Sequence, residues 1–179
     1  GSAVIFFAGY LIMVFIATKN YFYLFAGILG GAGASIVAYH MFSHVRTRVI
    51  AFLHPWSNIN DSGYQITQSL FAIGTGGWFG LGIDQGDPTS IPYVEQDFIF
   101  SAVAEEMGVI FGICLILVCV SCFIVFMKIA MQLKEDFYRY IAVGISTIYI
   151  FQVFLTIGGG TRFIPLTGVT PVSYTHLTL

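Results

Sequence analysis

The chain has 179 residues, of which 57% are hydrophobic and 9% charged, with seven Lys plus Arg, nine Asp plus Glu and a formal net charge of −2. A soluble domain carries roughly 25% charged residues, and a compact globule of this size must cover its surface with groups that water solvates. The proportions exclude a soluble domain, a disordered chain and a nucleic-acid binder with a basic face. The long unbroken apolar runs instead define an all-α polytopic membrane protein.

The spans follow from the charge-free runs. Gly1 to Thr18 is the first. It has no initiating Met and no basic n-region, so it reads as a span expected to lie inside a larger protein and not as a signal peptide. Lys19 and Asn20 interrupt the run, and a second extends from Tyr21 to about Met41. Its small residues Gly27, Gly30, Gly31 and Gly33 suit close helix contact. His40 to Asp61 is a surface segment, in which Val49–Leu53 and Trp56 are able to lie in the membrane interface. Tyr64 to about Gly82 is apolar but Gly-rich, a marginal span that is tilted or broken. Residues 83–97 form a large acidic loop before the fourth span, Phe98 to Met127, which only Glu105 and Glu106 interrupt. Lys128 to Arg139 is a short charged loop, and Tyr140 to Thr161, with Gln152 inside it, is the fifth span.

Orientation is read from Lys and Arg. Arg46 and Arg48 follow the second span, and Lys128, Lys134 and Arg139 follow the fourth. Both groups are expected in the cytoplasm, with the acidic loop, Lys19 and Arg162 outside. Cys114, Cys119 and Cys122 share one apolar run without metal-ligand spacing and read as small packing groups.

Charge in or beside a bilayer is costly, so ionisable residues there are functional candidates. Asp97, Ser101 and Glu105 fall at i, i+4 and i+8 and share a broad helix face. Glu106 is turned about 100° away, and Asp97 and Glu105 are separated by about 12 Å along the axis. That is too far for two carboxyls to share a proton, so separate roles are expected: Asp97 at the aqueous mouth, Glu105 and Glu106 deeper and supporting. Asp97 also suits a helix N-terminus, and Gln152 suits an interhelical hydrogen bond. The acidic loop, with Asp84, Asp87, Glu95 and Asp97, offers hard oxygen ligands for a divalent cation, although its spacing matches no standard loop.

Two stretches together carry a more specific signal. DSGYQITQSLFAIGTGGWFGLG at 61–82 and IPYVEQDFIFSAVAEEMG at 91–108 resemble the SEDS family, the FtsW/RodA/SpoVE group of cell-shape, division and sporulation proteins. RTRVIAFLHPW at 46–56 is similar to the family's basic segment ending in Pro-Trp. QVFLTIGGGTRFIPLTGVT at 152–170 is similar to its late Gln- and Pro-Leu-Thr-Gly-containing stretch. The resemblance covers about residues 40–170. After Pro171 the chain departs from the family's Ser-Tyr-Gly-Gly-Ser pattern. Residues 1–170 are therefore expected to be part of a SEDS transmembrane domain, about five helices of a ten-helix bundle, and 171–179 a non-native or misassembled tail in which His176 has no role.

The resemblance implies a peptidoglycan glycosyltransferase of the bacterial cytoplasmic membrane. It would polymerise lipid II onto a growing glycan strand beside a class B penicillin-binding protein. By position in the DFIF motif, Asp97 is implied as the catalytic residue. An acceptor hydroxyl is a poor nucleophile and needs a general base. Arg162, Glu95, Gln65 and Gln68 are implied substrate-binding candidates, with Glu105, Glu106, Ser101 and Gln152 as supporting polar groups. The leaving diphosphate needs positive charge, from Arg162 or from Mg²⁺ or Mn²⁺ at Asp97 and Glu95. Three other readings stay open on the residues alone: a lipid-linked precursor flippase, a non-catalytic scaffold of the cell-wall complex, and an ion-coupled transporter with Glu105 as proton carrier.

Overall fold

The computed structural model describes residues 2–56, 63–86 and 98–166. Six helices follow in order: α1 (Ser2–Thr18), α2 (Tyr21–Met41), α3 (Ser43–Leu53), α4 (Tyr64–Gly76), α5 (Ile99–Gln132) and α6 (Asp136–Gly160). In hydrocarbon the backbone has no water to bond, so apolar runs must satisfy their own N–H and C=O groups as helices. Their ends lie where the polar punctuation predicts. Lys19 takes a left-handed φ of 53°, and the Asn20 side chain accepts the Phe22 N–H to cap α2. The extended backbone of Phe42 then ends α2 and starts α3 on a new axis.

Helix contacts run as a row, α2 on α1, α1 on α6, α6 on α5 and α5 on α4. Part of the small-residue patch of α2 serves this packing. Gly27 and Gly31 lie against Leu11 and Phe7 of α1, whereas Gly30 and Gly33 meet no atom. α1 and α6 run antiparallel, since Gly9 meets Ile148 and Gly144 meets Met13. The α1–α2 junction therefore lies at the α5–α6 end of the bundle. Lys19, Lys128, Lys134 and Arg139 gather there and make it the lysine end of the bundle. Arg139 forms an ion pair with Asp136 on the first turn of α6.

The opposite end differs from the expectation. Arg48 Nη1 donates to the Leu166 carbonyl (3.3 Å). Arg162, just past α6, donates from Nε to Phe52 O (3.2 Å) and from Nη2 to Leu53 O (3.4 Å). Arg46, Arg48 and Arg162 thus share one end, the arginine end, where the sequence reading had separated them. The cause is α4. Among the described residues three helices are long and apolar enough to cross a membrane, α2, α5 and α6, and Ala3–Thr18 is a shorter apolar helix. α4 has 13 residues and so rises about 20 Å, short of a hydrocarbon core of about 30 Å. It runs in beside the start of α5 and the chain turns back at Gly77–Gly82, so both ends of this hairpin lie at the arginine end. A hairpin that returns reverses the parity of everything before it, and that is why α3 changes sides.

The fourth span also differs. α5 is broken at Gly108, whose φ of 85° and ψ of 167° lie outside helical space. The charge-free stretch from Val109 to Met127 measures about 28 Å at 1.5 Å per residue, a close fit to the hydrocarbon. Glu105 and Glu106 belong to the short helix before the break and not to the spanning part. The departure at 171–179 lies outside the described residues.

Candidate functional site

The arginine end is built around the start of α5. Phe98 is 1% exposed and packs with Ala72 of α4 and Leu166 beyond α6. Its carbonyl accepts from Ser101 N (2.9 Å) and Ala102 N (3.2 Å), which starts the helix. Three elements then meet at one polar junction. Ser69 Oγ of α4 donates to the Gly160 carbonyl of α6 (2.8 Å) and lies 2.5 Å from Ser101 Oγ of α5. A hydroxyl has one proton, and that of Ser69 goes to Gly160, so Ser101 is the donor between the two serines. Removing Ser69 strands both Ser101 and a helix-terminal carbonyl. Ser69→Ala is therefore expected to cost about 1–3 kcal/mol, more than Ser101→Ala at about 1 kcal/mol. Equal melting temperatures for the two purified variants would contradict this reading.

The hairpin and the α5 break complete one another. Leu81 N donates to Glu105 O (3.0 Å) and Gly82 N to Glu106 O (2.9 Å), replacing helix donors that the break removes. In return Val109 N donates to Gly77 O (2.9 Å) and Ile110 N to Trp78 O (3.3 Å). Irregular backbone at this depth is tolerated because protein satisfies it. The contact is too close for side chains at Gly80 and Gly108, where an added Cβ would come 2.2 Å from Glu106 O and 2.4 Å from Trp78 O respectively.

The two glutamates face the returning chain. Glu106 Oε1 accepts the Asp84 N–H at a long 3.4 Å. Glu105 is buried, its carboxyl lies against Gly86, and its Oε2 has no hydrogen-bond partner among the described residues. Gln65 and Gln68 are half-buried on α4, and Gln152 is half-buried on α6. Arg162 is half-buried, and two of its donors are committed to the C-terminal carbonyls of α3. Its φ of 57° is left-handed, a conformation that costs a non-glycine residue roughly 1 kcal/mol. Arg162→Gly and Arg162→Ala both lose the α3 cap, but only glycine releases the strain. Arg162→Gly is expected to be the more stable of the two by about 1 kcal/mol, which paired thermal melts would check; a lower melting point for the glycine variant contradicts the backbone argument.

Asp97, Glu95 and Asp87 lie outside the described residues. Among the described residues no three His, Cys, Asp or Glu side chains gather to hold a metal. Residue reasoning had noted Gly80 within the Gly-rich run at 74–82 but had not singled out Ser69, Gly160 or Gly108. Each contact joins positions far apart in sequence, and the only local trace was the glycine density at 74–82. An apolar groove between the start of α5 and the end of α6, with cavities of about 210 and 420 Å³, is lined by residues including Val103, Cys119, Val153 and Ile157.

A helical membrane bundle, capped at one end by a hairpin that does not cross and by a buried three-helix polar junction, defines a polytopic membrane protein with its candidate site at an interface. Comparison with known proteins makes this specific: the chain belongs to the FtsW/RodA/SpoVE family of cell cycle proteins, which matches residues 1–174. It is 37% identical over 171 residues to the peptidoglycan glycosyltransferase RodA of Mycobacterium tuberculosis (strain ATCC 25618 / H37Rv), covering 95% of this chain and 36% of that protein. It is 45% identical over 130 residues to the probable peptidoglycan glycosyltransferase FtsW of Francisella salina, covering 69% and 32%. With the stage V sporulation protein E of Bacillus subtilis (strain 168) it shares 32% over 163 residues, covering 89% and 44%. The chain thus spans between about a third and under a half of the curated relatives it matches.

Proposed function

We propose that this chain is part of a peptidoglycan glycosyltransferase that joins lipid II units into glycan strands at the outer face of a bacterial cytoplasmic membrane. The arginine end faces outward in this reading, since four of the seven basic residues lie at the lysine end and the basic majority stays in the cytoplasm. The acceptor sugar's 4-hydroxyl attacks the donor's anomeric carbon and undecaprenyl diphosphate departs. Asp97 takes the hydroxyl proton as the bond forms. The observation that carries the reading is the anchoring of Phe98, which directly follows Asp97 and is the largest fully buried side chain among the described residues. A base must be held within hydrogen-bond reach of its proton, and a fixed helix start provides the mounting.

Arg162 is a weaker counter-charge for the diphosphate than its position in sequence implies, because α3 occupies two of its donors. Mg²⁺ or Mn²⁺ held by Asp97 and Glu95 would supply the remaining charge. Gln65 and Gln68 are proposed to contact the sugars from α4, and a class B penicillin-binding protein is the proposed partner. The test is to incubate the purified full-length protein carrying this segment with lipid II and resolve the products on a gel. Glycan strands are expected. Transfer of lipid II across vesicle membranes without strand formation would favour a flippase and overturn the reading.

A further inference from the structure

We propose that α3 is an interfacial helix that binds the phosphate of an anionic phospholipid through Arg46. The depth of the helix follows from its neighbour. α2 has 21 residues and rises about 31 Å, the thickness of the hydrocarbon core. Phe42, which separates α2 from α3, therefore falls at headgroup level, and α3 begins there. Its two sides are then distinguished by their contacts. On one side Arg48 bonds the Leu166 carbonyl, and the Phe52 and Leu53 carbonyls at its end bond Arg162, so this side is tied to the chain beyond α6. On another face Arg46, Ile50 and Leu53 follow i, i+4 and i+7 and share a stripe. All three are exposed, Ile50 by 39% and Leu53 by 55%.

On a helix that starts at headgroup level, exposed Ile50 and Leu53 can enter the acyl boundary while the long stem of Arg46 carries its charged head up to the headgroups. Among the described residues no carboxylate pairs with Arg46. Its guanidinium lies over the Tyr39 ring, 5.9 Å from the centroid. Among the described residues the ion pair is Arg139 with Asp136, at the other end of the bundle. A guanidinium offers a planar fork of donors that matches phosphate geometry, and at this depth the anion within reach of its stem is a lipid phosphate.

The test uses a chain in which Trp56 and Trp78 are replaced by Phe and Ile50→Trp places a reporter one turn from Arg46. In phosphatidylcholine vesicles, quenching by brominated phosphatidylglycerol is expected to exceed quenching by brominated phosphatidylcholine by about five-fold in relative binding constant. Arg46→Gln, which keeps the stem, is expected to remove the preference. Arg46→Lys, which keeps the charge and loses the fork, is expected to keep only part of it, and Arg139→Gln at the opposite end to leave it unchanged. Equal quenching by the two lipids overturns the proposal, as does a preference that survives Arg46→Gln. Absence of quenching by either lipid means that protein covers this face and also overturns it. So does loss of the preference on adding inorganic phosphate at matched ionic strength, which marks a free-anion site.

Discussion

Asp97→Asn, made in the full-length protein, is expected to lower lipid II polymerisation by about 10²- to 10⁴-fold, the usual contribution of a positioned general base. The substitution keeps the shape of the side chain and removes its capacity to accept a proton. Phe98 should remain seated between Ala72 and Leu166, so α5 should start in the same place and the yield and melting temperature should be unchanged. The loss should fall on kcat, with KM for lipid II nearly constant, because the interaction removed is made in the transition state. Strand synthesis at the parental rate by Asp97→Asn would remove this residue as the base. The closed polar junction would then be no substitute, since Ser69 already bonds both the Ser101 hydroxyl and the Gly160 carbonyl.

Gly108→Ala is expected to be the most destabilising single change among the described residues. At φ 85° and ψ 167° the backbone lies in a region open almost solely to glycine, and occupying it with another residue costs about 1–3 kcal/mol. The new Cβ would also lie 2.4 Å from Trp78 O and 2.5 Å from Gly80 N. Those atoms are backbone and cannot rotate away. Relief requires the hairpin to withdraw, with the loss of backbone bonds worth about 1 kcal/mol each. The expected total is about 3 kcal/mol or more, and Gly80→Ala, with φ 81° and Glu106 O at 2.2 Å, should behave alike. Gly74→Ala is the control. It lies inside α4 with no atom near its would-be Cβ, and alanine there should stabilise by about 0.5–1 kcal/mol. Thermal unfolding in detergent would rank the three; Gly108→Ala melting with the parent would refute the geometry of the break.

The elements were largely legible in the sequence because each boundary has a local cause. Lys19 and Asn20 end one apolar run and cap the next, so α2 occupies Tyr21–Met41 as read. The charges at Lys128 to Arg139 likewise separate α5 from α6. The path of the Gly-rich run was not legible. Hydropathy records how apolar a segment is and not whether it crosses or returns, and a hairpin seated on Glu105 and Glu106 has much the same composition as a short span. From that single ambiguity came the wrong side for Arg46 and Arg48, whose helix is also held by bonds to Leu166 and Arg162, more than a hundred residues away. The candidate site was legible only as residue types and a family pattern. Ser101 was noted for sharing a face with Asp97, but its partners Ser69 and Gly160 come from two other helices. Nothing in the spacing of Gln65, Gln68 or Gln152 distinguished them from Ser69.

The reciprocal bonding at Gly108 also governs how the molecule opens. Donors on the hairpin serve acceptors on the short helix, and acceptors on the hairpin serve donors beyond the break. Neither part can detach without orphaning the other, so amide protons of Leu81, Gly82, Val109 and Ile110 should exchange with deuterium in concert, as one foldon. Its fluctuations would bare Ser101 and Glu105 to water while the Val109–Met127 rod stays intact below.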